Sequence, residues 1–243
     1  MRSKLPLWEE LQMRRTYLFL IACFAWAETK PANISVNTWV REDLFAGYMV
    51  NDVARFEKGM RKLDEILKGE FASRPARAWR ASGILYLGVR ALEAGNVEEF
   101  NLRVDEAEGQ FNSARTRATR EELGAIYAIQ GGAYALFADR FPIELRKEGW
   151  RRVQEHYSKL RELQMPAFDN YPQHMRGEVL AGLAQAAQRL GQTDEAEKLL
   201  NELIAALPNS VYATRALRWK ENPQAADKTN LTCQTCHEPG RLK

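Results

Sequence analysis

Apolar residues recur at alternating spacings of three and four along most of this chain, and that periodicity restricts the fold more than any other feature. Val53, Phe56, Met60, Leu63 and Leu67 form one such row, the stripe of an amphipathic helix buried along one side. Comparable rows predict helices at about 37–50, 52–68, 76–94, 97–114, 119–138, 143–164, 173–190, 193–206 and 209–221. No stretch shows the apolar-polar alternation of a half-buried strand. Helix breakers stand between the rows at Gly69, Gly95-Asn96, Pro142, Pro166, Pro172, Gly191 and Pro208, where glycine ends a helix and proline cannot continue one. The expected fold class is all-α: four helical hairpins and one closing helix.

Certain residues mark the hairpins as repeats. From Gly191 through Ala196 and Leu200 to Pro208 the chain sets out a turn glycine, a small residue where helices cross, a bulky one four positions on, and a closing proline. Trp79, Gly83 and Tyr86, and again Leu123-Gly124 with Tyr127, fit a matching first helix, with Ser82 where leucine is expected and Arg120 in place of tryptophan. In the last hairpin Leu183 fits, while Ala184 and Ala187 replace glycine and tyrosine. The set resembles the tetratricopeptide repeat over about residues 37–221. That resemblance implies an α-solenoid of about four hairpins whose concave face binds a protein partner. Arg74, Arg77, Arg80, Arg115, Arg117 and Arg120 make the 74–120 region basic, a feature read here as a solvated helix face or as a surface for acidic partners.

Both ends of the chain differ from this pattern. Arg14-Arg15, the apolar run Thr16 to Phe24 and Ala25-Trp26-Ala27 have the three parts of a secretory signal, which places residues 1–27 outside the fold and the mature domain at 28–221. Leu20-Ile21-Ala22-Cys23 also resembles a bacterial lipobox, which would put a lipid anchor on Cys23. The apolar run is far short of the ~20 residues of a transmembrane helix, so no membrane span is expected. Residues 222–232 are polar, carry Pro223 and read as a linker. Residues 233–243 form a short non-helical tail.

That tail contains Cys233-Gln234-Thr235-Cys236-His237. The CxxCH spacing resembles the attachment site of c-type cytochromes. The resemblance implies one haem c joined through Cys233 and Cys236, with His237 as proximal ligand of the iron. Zinc and thiol-disulfide chemistry are the other uses of a CxxC pair. The remaining cysteine and histidines, Cys23, His156 and His174, are far away in sequence, whereas a zinc site needs three or four ligands. Only six residues follow the motif, too few to enclose a porphyrin, so its envelope must come from the helical body or from a partner. Tyr212, Leu217 and Trp219 are candidate walls. His174 is the first candidate for the distal ligand, ahead of His156, Met175 and Met165.

Charge adds little. The 35 basic and 32 acidic residues give +3. Without residues 1–27 the balance is 31 against 30, which gives no reason to expect nucleic acid. No Gly-rich phosphate loop, HExxH or Ser/His/Asp arrangement points to an enzyme. The expectation is an exported, periplasmic monohaem cytochrome that passes electrons to a redox partner or other envelope protein. The alternatives are a repeat-based assembly protein whose haem is structural or sensory, and a haem catalyst acting on peroxide. The sequence does not fix the oligomeric state.

Overall fold

The computed structural model describes residues 36–69, 73–226 and 229–232. Among them there is no strand. The long helices are α1 (Val36–Val50), α2 (Val53–Lys68), α3 (Arg74–Glu93), α4 (Val97–Arg115), α5 (Arg120–Phe137), α6 (Ile143–Gln164), α7 (Gln173–Arg189), α8 (Thr193–Ala206) and α9 (Val211–Glu221). One helical turn, α10 (Pro223–Ala226), follows, and 3-10 turns at Ala138–Arg140 and Met165–Asn170 extend α5 and α6. The chain is therefore all-α over these residues, with helix limits within two residues of those predicted.

Helix starts are set locally. Asp52, Ser73, Asn96 and Ser210 each accept the backbone N–H three residues on, at 3.0 to 3.1 Å. Thr119 accepts from Glu122 N while Glu122 accepts from Thr119 N, a reciprocal box that satisfies two otherwise unpaired donors. α6 and α7 begin directly after Pro142 and Pro172, whose fixed φ suits a helix entrance.

Two helix ends are nearly superimposable in their bonding. Gly95 (φ +83°) and Gly191 (φ +74°) are left-handed. Each donates to the carbonyl three residues back, and the next residue donates to the carbonyl five back, Asn96 to Ala91 and Gln192 to Ala187, both at 2.9 Å. This double closure reverses the chain within two residues, so α3 folds back on α4 and α7 on α8 in one manner.

The helices pack in neighbouring pairs, α1 with α2, α3 with α4, α5 with α6 and α7 with α8, while α9 lies against α8. First helices of successive pairs also meet, α1 with α3, α3 with α5, α5 with α7 and α7 with α9. They begin at residues 36, 74, 120, 173 and 211, so the unit length varies. An aromatic core joins the early pairs: Tyr48 of α1 stands edge-on to Phe137 of α5 at 5.1 Å, and Phe56 of α2 to Tyr86 of α3 at 4.9 Å. Burying such rings stabilises by roughly 25 cal/mol per Å² of apolar surface.

Later pairs are keyed by one ring. Tyr157 of α6, 2% exposed, lies 3.4 Å from where a Cβ on Gly131 of α5 would stand, and a Cβ on Gly182 of α7 would collide with its Cδ2–Cε2 edge. Gly177 of α7 similarly leaves room for the Tyr212 ring of α9. In the first helix of the earlier pair, Gly83 makes the expected close approach, to Met60 of α2. In α5 the close approach falls at Gly131, whereas Gly124 has nothing nearer than Leu160 at 4.0 Å.

Candidate functional site

Cys23, the 1–27 segment, Cys233, Cys236 and His237 lie outside the described residues. The distal candidates are described, and the structure separates them. His156 is buried in the core, 3% exposed, between Tyr127 (6.1 Å, nearly parallel) and Tyr134 (6.2 Å). Neither ring nitrogen has a hydrogen-bond partner. Burial, reinforced by the Arg115 and Arg152 charges, pushes its pKa down to about 3. The ring is therefore neutral at ordinary pH. A haem iron could reach it only if this part of the core were opened. Met165 and Met175 are both exposed on the surface.

His174, in the first turn of α7, is exposed. Its Nδ1 lies 3.0 Å from the Tyr212 hydroxyl, and that hydroxyl donates to Glu178 Oε1 at 2.8 Å. Tyr212 has a single hydroxyl hydrogen, and Glu178 receives it. The bond to His174 is then made by Nδ1–H donating to the phenol oxygen. In the neutral imidazole this arrangement selects the Nδ1–H tautomer, with the Nε2 lone pair directed away from the bond. A histidine that ligates a metal is held in this way, through its other ring nitrogen, by an outer hydrogen-bond partner. The spacing helps: His174 and Glu178 are one helical turn apart on α7, and Gly177 between them admits the Tyr212 ring. His174 could thus offer Nε2 to a metal ion.

The stretch read as a linker is held on the body where it is described. Arg189 of α7 donates to the carbonyl oxygens of Ala226 and of Thr229, the latter at 3.2 Å. Its guanidinium lies 5.5 Å from the Trp150 ring centre and 5.8 Å from that of Trp219. Trp219 Nε1 donates to Thr229 Oγ1 at 2.7 Å, and Arg215 to the Asn230 carbonyl at 3.3 Å. Gln185, with no exposed surface, accepts the Leu231 N–H at 2.8 Å and donates to the Asn230 side chain. Leu231 is fully buried and Thr232 nearly so. A polar segment without periodicity gives no sequence signal for such docking, because the grip is mostly side chain to backbone. Of the candidate walls, Tyr212 and Trp219 are buried as parts of these networks and Leu217 is exposed.

The basic region at 74–120 is largely engaged within the fold. Arg74 donates to the Thr116 carbonyl and Arg120 to the Leu163 carbonyl, each tying the start of a pair's first helix to the end of its second. Arg80 pairs with Asp64 at 2.8 Å, Arg77 bonds Gln110, and Arg115 bonds Gln130 and Asn112. Among the described residues no cluster of three His, Cys, Asp or Glu side chains could hold a metal ion. No helix among them is long and apolar enough to cross a membrane.

No protein-family model, no curated protein and no solved structure matches this chain.

Proposed function

We propose that the chain is a periplasmic monohaem c-type cytochrome on a tetratricopeptide-like α-solenoid, in which the repeats dock a redox partner protein. The observation that carries this reading is Cys233-Gln234-Thr235-Cys236-His237. Bound haem would supply a one-electron iron couple whose potential follows from its axial ligands and surroundings. Cys233 and Cys236 would hold it covalently, and His237 would be the proximal ligand. His174 would offer Nε2 as the second ligand, oriented by Tyr212 and Glu178.

The pairing of helices and the contacts between successive first helices support the solenoid. Such a scaffold presents an extended concave surface. The repeated turns at Gly95 and Gly191 suit a repeat scaffold under either reading, the second being an envelope assembly protein whose haem is structural or sensory. Reversible electron exchange with a soluble carrier distinguishes the cytochrome from that second reading.

The test is expression in a host that attaches haem to exported proteins, followed by a denaturing gel stained for haem. A stained band that disappears in Cys236→Ala supports the reading. An unstained wild-type band rejects it.

A further inference from the structure

The docked segment has a direction. Thr229 sits at the level of Arg189 and Trp219, and Asn230 and Leu231 at the level of Gln185 and Arg215. As residue numbers rise along the segment, they fall along both α7 and α9. The segment therefore runs antiparallel to both helices, toward the end where Tyr212 bonds His174.

Chain length agrees with that heading. His174 precedes Gln185 by eleven residues on one helix, about 16 Å at 1.5 Å per residue. His237 follows Leu231 by six residues, a reach of at most about 20 Å. The grip is also specific to backbone and register. Gln185 accepts the Leu231 N–H through Oε1 and donates through Nε2 to Asn230 Oδ1, so a slip of one residue would break both bonds. Arg189 is fixed from three sides, by the Asp139 carboxylate at 3.2 Å and by the Trp150 and Trp219 rings.

We infer that Gln185, with Arg189, Arg215 and Trp219, is a dock that fixes the start of the haem-bearing tail and aims it at His174. Gln185 is a positioning residue, acting through Leu231 and Asn230. The inference rests on the reading of Cys233-Gln234-Thr235-Cys236-His237 as the haem attachment site. It goes further by assigning Gln185, Arg189, Arg215 and Trp219 the task of bringing the attachment site within reach of His174.

The experiment compares wild type, Gln185→Met, Arg215→Met and His174→Ala, each matured with haem. Haem stain, absorbance of the ferrous protein under carbon monoxide, and hydrogen exchange at the Leu231 amide are measured for each. The expected wild type is stained, six-coordinate and slow to bind carbon monoxide, with a protected Leu231 amide. Gln185→Met should keep its stain but bind carbon monoxide faster, as should His174→Ala. Its Leu231 amide should exchange at least about tenfold faster, equivalent to about 1.4 kcal/mol. Arg215→Met, altered at the rim of the dock, should show the same trend more weakly, so a folding defect in Gln185→Met would not leave the idea without a test.

A wild-type Leu231 amide exchanging at the rate of an unstructured peptide overturns the dock. Stained Gln185→Met and His174→Ala proteins that stay six-coordinate overturn the aiming and leave the cytochrome reading intact. An unstained wild type overturns both, while Leu231 exchange in that same protein still shows whether the segment is held.

Discussion

The imidazole of His174 and the phenol of Tyr212 are joined across two helices by a 3.0 Å hydrogen bond, and the phenol passes its own hydrogen to Glu178. The arrangement orients an otherwise exposed histidine and ties α9 to the first turn of α7.

Tyr212→Phe removes both bonds and keeps the ring beside Gly177. The expected loss of stability is about 1–3 kcal/mol, because a buried acceptor on Glu178 loses its donor. Urea unfolding measures this. Nitrogen NMR of the His174 ring checks the second consequence, a single Nδ1–H form in wild type and a mixture in the variant.

His156 predicts a pH dependence with a definite sign. Its folded pKa of about 3 lies below the ordinary 6.5, so between these values the unfolded chain binds a proton that the folded chain refuses. Stability from this residue is unaffected above pH 6.5 and falls by about 1.4 kcal/mol per unit as pH drops toward 3. His156→Phe should flatten that slope. It should also leave the protein at least as stable at pH 7, since neither ring nitrogen makes a hydrogen bond to be lost. Thermal melts at pH 4, 5.5 and 7 test it.

Gly182 and Gly109 should respond to alanine with opposite signs. A methyl on Gly182 would enter the Tyr157 ring, whereas nothing lies within 4 Å of one on Gly109. Gly182→Ala should cost about 1–3 kcal/mol through overpacking. Gly109→Ala, in the middle of α4, should gain about 0.5–1 kcal/mol through helix propensity. Denaturant midpoints for the two variants decide the matter.

A stop after Glu221 should destabilise the body even though it spares every long helix. It removes Leu231 and Ala226 from the core and takes the backbone partners of Gln185 and Arg189. The expected loss is about 2–5 kcal/mol, comparable to truncating a large core side chain. Differential hydrogen exchange should place the effect in α7 and α9.

Among the described residues, the number and limits of the long helices were legible in the sequence because apolar rows at three and four spacing meet strong terminators at Gly95, Pro142, Pro172 and Gly191. In α3 the residues singled out by spacing, Trp79, Gly83 and Tyr86, are all buried. In α5 the pattern pointed to Gly124, while the close contact is at Gly131; two glycines in one helix satisfy the same local rule, and only the partner ring Tyr157 selects between them. The orientation of His174 could not be read, because it depends on a tyrosine 38 residues away. The docking of residues 229–232 was hidden for a similar reason: polar residues between a proline and a cysteine give no sign that Gln185 awaits the Leu231 backbone.

Leu231 has no surface left for solvent. The last residues before the paired cysteines are therefore interior, and releasing them and loosening the final helices are one cooperative opening. Exchange, cleavage or labelling that reports on that end of the molecule will report on the stability of α7 and α9 as well.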